Sequence, residues 1–347
     1  MKKLALSVLV IFIGIMNITA QSNFIFPEGK EVVVYSLPQT ELCIEIEIEK
    51  ETQTPGNFYL YSERYLATQN VITENKVSFR LKNISVKANA IADPNRTYSI
   101  PYSKNSVYNS ISVDERGLLC GLNVPCCEAK AEKDTKSKDK RSEAKGSNEL
   151  LPLTEEYMMA GSTSKMAEGA AKTIYRIRES RINLLTGDVD QLPDGNGMKE
   201  MLKQMNRMEK ELTELFIGKT KTETQKHKIY ITPATEMKDH VLFRFSNTRG
   251  LVGANDLSGS PYYLNVLPEM VQTQPLVKKG SSQNELFHLL PARTQVSVND
   301  GKNTFFSETM NMPQFGKEIP FPADLIQKKG VKIKIDSQTG RLLKVEE

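Results

Sequence analysis

The chain has 347 residues, 46 basic and 42 acidic side chains, a net charge of +4 and no tryptophan. Acids and bases are interleaved rather than gathered into one basic stripe, which argues against nucleic acid as a partner. No apolar run reaches the ~20 residues that a membrane-spanning helix needs.

The N-terminus carries Lys2 and Lys3, an apolar run from Leu4 to Ile15, and a short stretch ending Ile18-Thr19-Ala20. This is the basic region, apolar region and small-residue cleavage site of a secretory signal peptide, residues 1–20. The first cysteine is Cys43, so no cysteine follows the small residue where a bacterial lipoprotein would carry its lipid. The expectation is an exported protein, periplasmic or secreted, that is not an N-terminal lipoprotein. In such a compartment disulfides persist, which makes Cys43, Cys120, Cys126 and Cys127 candidates for pairing. Three connectivities use all four, and spacing does not choose among them. A zinc site would show paired Cys or Cys/His spacing, whereas His227, His240 and His288 lie far from the cysteines.

Residues 23–127 read as an N-terminal β region. Leu42, Ile44, Ile46 and Ile48 alternate with Glu41, Cys43, Glu45, Glu47 and Glu49, the period of a strand with one buried and one wet face. Ser110 to Val124 reads as a hairpin around Asp114-Glu115-Arg116-Gly117. Residues 128–150 contain almost no large apolar side chain and alternate in charge, the composition of a flexible linker. Residues 151–220 carry helical periodicity in two arms. Ala167, Ala170, Ile174, Ile177 and Leu184 fall on a three-four spacing. After a turn-rich stretch, Met198, Met201, Met205, Met208, Leu212 and Leu215 repeat it, and Gly218 supplies a stop. Two such arms joined by a loop predict an antiparallel helical hairpin, each arm ~30 Å long. Residues 225–347 form a C-terminal β region ending in a second hairpin, VKIKIDSQTGRLLKVEE, whose aspartate-led turn resembles the first. The fold class expected is α+β: two antiparallel, sandwich-like β regions with an inserted antiparallel helical hairpin.

Glu155-Glu156-Tyr157, Ala160-Gly161-Ser162 and the run from Ile174 to Asp190, IYRIRESRINLLTGDVD, resemble the signature of an exported Bacteroidota family, a domain of unknown function. The resemblance extends to Tyr35-Ser36-Leu37-Pro38-Gln39-Thr40, to Leu242-Phe243-Arg244-Phe245-Ser246 and to Asp256-Leu257-Ser258-Gly259, and so covers most of the mature chain. It implies an envelope or secreted location and no established activity.

Within the hairpin, Arg178 and Arg181 project with Ala167, Ala170, Ile174 and Leu185 at ~100° per residue. Glu209 likewise sits among Met205, Met208 and Leu212, and folding the arms together brings Arg178 level with Glu209. Two readings follow: the charges pair across the hairpin and fix its register, or the guanidinium groups hold an anionic ligand. The methionines invite a copper reading, but their spacing is that of a packed seam, and core packing is the expectation. Ser162-Thr163-Ser164-Lys165 matches the S-x-x-K of serine acyl-transfer enzymes. Its companions are out of order, with Ser282-Gln283-Asn284 after Lys278-Lys279-Gly280, so Ser162 is read as a helix cap. Asp188, Asp190, Asp194 and Asn196 suggest a calcium loop, but Leu192 and Pro193 stand where a ligand and a glycine are required. Turn chemistry explains them, and strand packing explains Tyr262 and Tyr263. The functional expectation is a non-catalytic envelope protein without cofactors that binds or scaffolds a partner protein. The alternative is a binding module for an anionic or saccharide ligand at Arg178, Arg181 and Glu209.

Overall fold

A computed structural model describes residues 31–102, 110–126, 155–159, 161–188, 194–269, 286–322, 325 and 330–346. Residues 1–20, read above as a signal peptide, residues 128–150, read as a linker, Cys127, Asp190 and the stretch containing Lys278 to Asn284 lie outside the described residues. The described residues begin with β1 (Glu31–Thr54), a 3-10 turn (Tyr59–Tyr61), α1 (Ser62–Leu66), β2 (Lys76–Tyr102), β3 (Ile111–Val113) and β4 (Leu119–Leu122). The helical insert comprises α2 (Glu155–Met158), α3 (Thr163–Thr186) and α4 (Gly195–Ile217). Then follow β5 (Lys219–Ile231), β6 (Met237–Ser246), β7 (Gly250–Val252), β8 (Ser260–Pro268) and β9 (Phe287–Asn299). The last strands are β10 (Thr304–Pro320), β11 (Lys332–Ile335) and β12 (Leu342–Glu346).

These strands form three sheets, in the orders β2-β1-β5, β10-β9-β8-β6-β7 and β12-β11-β4-β3, with antiparallel pairing throughout. The fold is α+β, and its β regions interleave in space. β5 follows the helical insert in the chain yet runs along β1 from Leu42↔Ile231 to Thr54↔Lys219. The two similar hairpins, β3–β4 and β11–β12, join edge to edge through Ile333↔Leu122.

The alternation in β1 has the consequence its period dictates. Leu42, Ile44, Ile46 and Ile48 are fully buried against Phe243, Leu264, Val266, Val296, Val298 and Met312 of the facing sheet, a sandwich core. On the opposite face Glu45 and Glu47 pair with Lys228 and Lys226 of β5, and Glu49 with Lys82 of β2. Cys43 shares that charged face but is buried and unpaired.

β1 and β2 are too long to remain regular. Opposite Leu37, residues 93–96 bulge out of β2, and opposite Pro291, residues 313–316 bulge out of β10. The two bulges meet. Arg96 donates to the carbonyls of Pro313 (3.2 Å) and Gln314 (3.3 Å) and pairs with Glu318 (2.9 Å). The Gln314 side chain accepts from the Thr40 amide (2.9 Å) and donates to the Thr40 carbonyl (3.0 Å). Beyond this junction the same strands enter a second core, where Tyr35, Leu37, Ile100, Phe287 and Leu289 pack on Leu119, Leu122 and Ile333 of the hairpin sheet. Cys120 and Cys126 form a disulfide beside it, and Asn123 donates to the Val331 carbonyl (2.7 Å), tying the two hairpins together.

Candidate functional site: the helical hairpin

The start signals act where the sequence places them. α2 ends at Met158, Gly161 adopts a left-handed φ of 62°, and Ser162 takes the N-cap position of α3 in extended backbone. Its hydroxyl makes no capping hydrogen bond, so the cap is conformational; Lys165 is exposed. Asp194, considered for calcium, is instead the N-cap of α4 and accepts from the Gly197 amide (2.7 Å).

The hairpin is held at its root. The last carbonyls of α4 would be orphans. Leu215 accepts from the Phe58 amide (2.7 Å), Ile217 from the Ile72 amide (2.9 Å), and Phe216 from the Ser62 hydroxyl (3.0 Å). On the other arm, Tyr175 donates to the Tyr65 carbonyl (2.8 Å). Phe58, Ala167, Ala170, Ala171, Ile174, Ile177, Leu212 and Phe216 form a third core, with Tyr61, Tyr65 and Leu66 of the 3-10 turn and α1 packed on it.

Further out, the structure brings together the three charged residues singled out in the sequence. Arg178 Nε donates to Glu209 Oε1 (2.6 Å), while Arg181 donates to Glu209 Oε2 (2.5 Å) and to the Asn206 side-chain Oδ1 (2.7 Å). Arg178 also lies over the Tyr175 ring at 5.8 Å. The Glu209 carboxylate thus stands where an anionic ligand of the two guanidinium groups would stand. Burial works to raise its pKa, and the hydrogen bonds and charges of both arginines outweigh that, leaving it below the ordinary glutamate value.

The expected core forms on α3, where Ala167, Ala170, Ile174, Ile177 and Leu184 are buried, but the methionine seam enters it only in part, through Met166 and Met205. Only Leu212 and Phe216 of α4 are buried, and Met205 and Leu215 are partly packed. Met201 and Met208 remain 44% and 45% exposed, and on α3 Ile182 and Leu185 are 58% and 65% exposed. The reason is geometric. Leu185 lies in line with Ala167 and Ile174, and Met201 and Met208 lie with Met205 and Leu212, so all belong to the stripe that packs at the root. α1 and the 3-10 turn cover only the root. Met158 and Met159 are exposed as well. Pattern alone gave the stripe its direction; how far it is covered is set by α1, which no periodicity in residues 62–66 announced.

Elsewhere, Tyr262 is buried and stacks on Phe243 at 4.7 Å, as strand packing requires. Asp256 accepts from the Ser258 amide (3.0 Å) and pairs with Arg249, a turn. Among the described residues His288 Nδ1 is buried without a hydrogen-bond partner, and burial lowers the imidazole pKa. A shallow cleft of about 500 Å³ at the root of α4 is lined by Gln53, Asn70, Ile72, Glu74, Lys76 and Thr220. Among the described residues no helix is long and apolar enough to cross a membrane.

Comparison with known proteins places the chain. The family described as Domain of unknown function (DUF4831) matches residues 31–343, and the chain belongs to that family. No curated protein and no solved structure matches it.

Proposed function

We propose that this member of a family of unknown function is an exported envelope protein, of Bacteroidota type by its motifs, that docks a partner protein through the outer half of its helical hairpin and catalyses nothing itself. One observation carries the reading: Leu185, Met201 and Met208 are exposed in line with the residues that pack at the root, with Ile182 exposed beside them three residues before Leu185, on a root fixed by Phe58, Ser62 and Ile72. Monomeric proteins rarely leave contiguous apolar patches of more than a few hundred Å² uncovered, and such patches mark interaction sites. A rigid root reduces the ordering cost of binding. The signal-peptide pattern of residues 1–20 supports export. The alternative, an anionic or saccharide ligand held between Arg178 and Arg181, has against it that Glu209 already fills the position between them.

The test is a photoactivatable side chain placed at Leu185 or Met201 in cells that make the protein, with Lys203 on the opposite face of α4 as control. The expected result is one dominant adduct with a different envelope protein from the stripe positions and none from Lys203. Equal labelling from both faces, or no adduct from the stripe, overturns the reading. Cell fractionation checks export separately: protein retained in the cytoplasm with residues 1–20 intact would contradict it.

A further inference from the structure

Resting on that docking reading, we infer that the segment received by the hairpin is an amphipathic helix carrying an acidic side chain among its apolar ones, supplied by a different protein. The outer stripe continues an interface whose occupant is visible. At the root, the chain's own 3-10 turn and α1 lie against α3 and α4 and fill the stripe with Phe58, Tyr61, Tyr65 and Leu66. At Ala67 the backbone turns left-handed (φ 50°) and ends that helix, while the two long helices and their stripe run on. The ridges and grooves that accept a helix at the root recur with the same spacing beyond it, and helix surfaces pack helices by that spacing.

Charge selects the kind of helix. At the root-side end of the outer stripe stand two guanidinium groups and one carboxylate, a net charge of +1 from Arg178, Arg181 and Glu209. Arg178 uses only Nε on Glu209 and its side chain is 42% exposed, so among the described residues its terminal nitrogens remain as donors. A purely apolar helix would bury that excess charge without compensation, at a cost. A carboxylate near its root-side end would accept from Arg178 while its apolar residues cover Ile182, Leu185, Met201 and Met208. The same charge disfavours a second copy of this chain. A two-fold dimer presents the same patch to itself, which would set one +1 cluster against another.

The experiment recovers the adducts formed from Leu185 and Met201 in whole cells and sequences the cross-linked peptides. It is repeated with Arg178→Gln and Arg178→Lys, each checked by circular dichroism for an unchanged melt. The expected peptide is a helix of another protein with Asp or Glu about two turns from the cross-link, since Arg178 stands seven residues from Leu185 on α3. Adduct yield should fall about tenfold with Arg178→Gln and stay within about threefold with Arg178→Lys. A cross-link to this chain itself, to a strand, or to a helix without an acidic residue overturns the inference. So does a yield that Arg178→Gln leaves unchanged. Each of these outcomes still contains a stripe-specific adduct and so differs from the absence of any adduct, which overturns the docking reading itself.

Discussion

Glu209 is the residue on which the hairpin's charge balance turns. Replacing it with alanine leaves two guanidinium groups facing each other, and the expected loss is about 1–2 kcal/mol by chemical denaturation, with Arg178→Met costing less because that side chain is nearly half exposed. Its lowered pKa fixes the sign of the pH effect: the stabilisation is present above the ordinary glutamate value and disappears as pH falls through the lower folded value. His288 acts in an earlier window. Its folded pKa is lowered by burial, so the unfolded chain takes up the proton first and stability falls as pH drops below about 6.5. Melting curves between pH 7.5 and 5.5 should show that loss, and His288→Leu should flatten it; an unchanged slope would assign the sensitivity to another group. The Arg178–Glu209 pairing was legible in the sequence because helical geometry alone sets both faces and their level. The orphaned His288 nitrogen was not, since it depends on which strand lies over it.

At the scale of elements, local periodicity carried furthest. The two arms of the hairpin, the break at Gly161 and the aspartate-led turns all follow from short-range spacing. The pairing of β5 with β1, and of β4 with β11, joins segments far apart in the chain, and nothing in the spacing of either strand names its partner. The paired bulges at residues 93–96 and 313–316 are likewise invisible until both strands are placed, although Pro94 and Pro313 are the residue type that interrupts a ladder. The hairpin sheet offers two tests. The Cys120–Cys126 disulfide closes a loop of sequence separation 6, and reduction or Cys120→Ala should cost about 2 kcal/mol, read as a shift in the denaturation midpoint that vanishes in the variant when reductant is added. Gly121 has φ 154°, and an added Cβ would meet the Ile333 carbonyl. Gly121→Ala should therefore separate β4 from β11, lowering the melting temperature; an unchanged melt would refute that close approach.

Across the described residues, three cores divide the labour. The sandwich core and the hairpin-sheet core are strung on the same long strands and joined through Arg96 and Gln314. The third lies at the foot of the helical hairpin and leaves Ile182, Leu185, Met201 and Met208 of its outer half exposed, although Leu184 there is buried. Hydrophobic pattern alone cannot distinguish a stripe buried by its own chain from one reserved for another, because both need the same spacing; only the extent of α1 separates them. The central claim is that the outer stripe serves binding and not the core. Its most direct measurement compares stability and partner capture in one variant, Ile182→Gln, Leu185→Gln, Met201→Gln and Met208→Gln combined. Side chains that are already half exposed should be replaceable with a change in melting temperature of no more than a few degrees, while the adduct from a photoactivatable group at Met205 is lost. A melt lowered by more than about 10 °C with the adduct retained would show that the stripe holds the fold together, and would contradict the account.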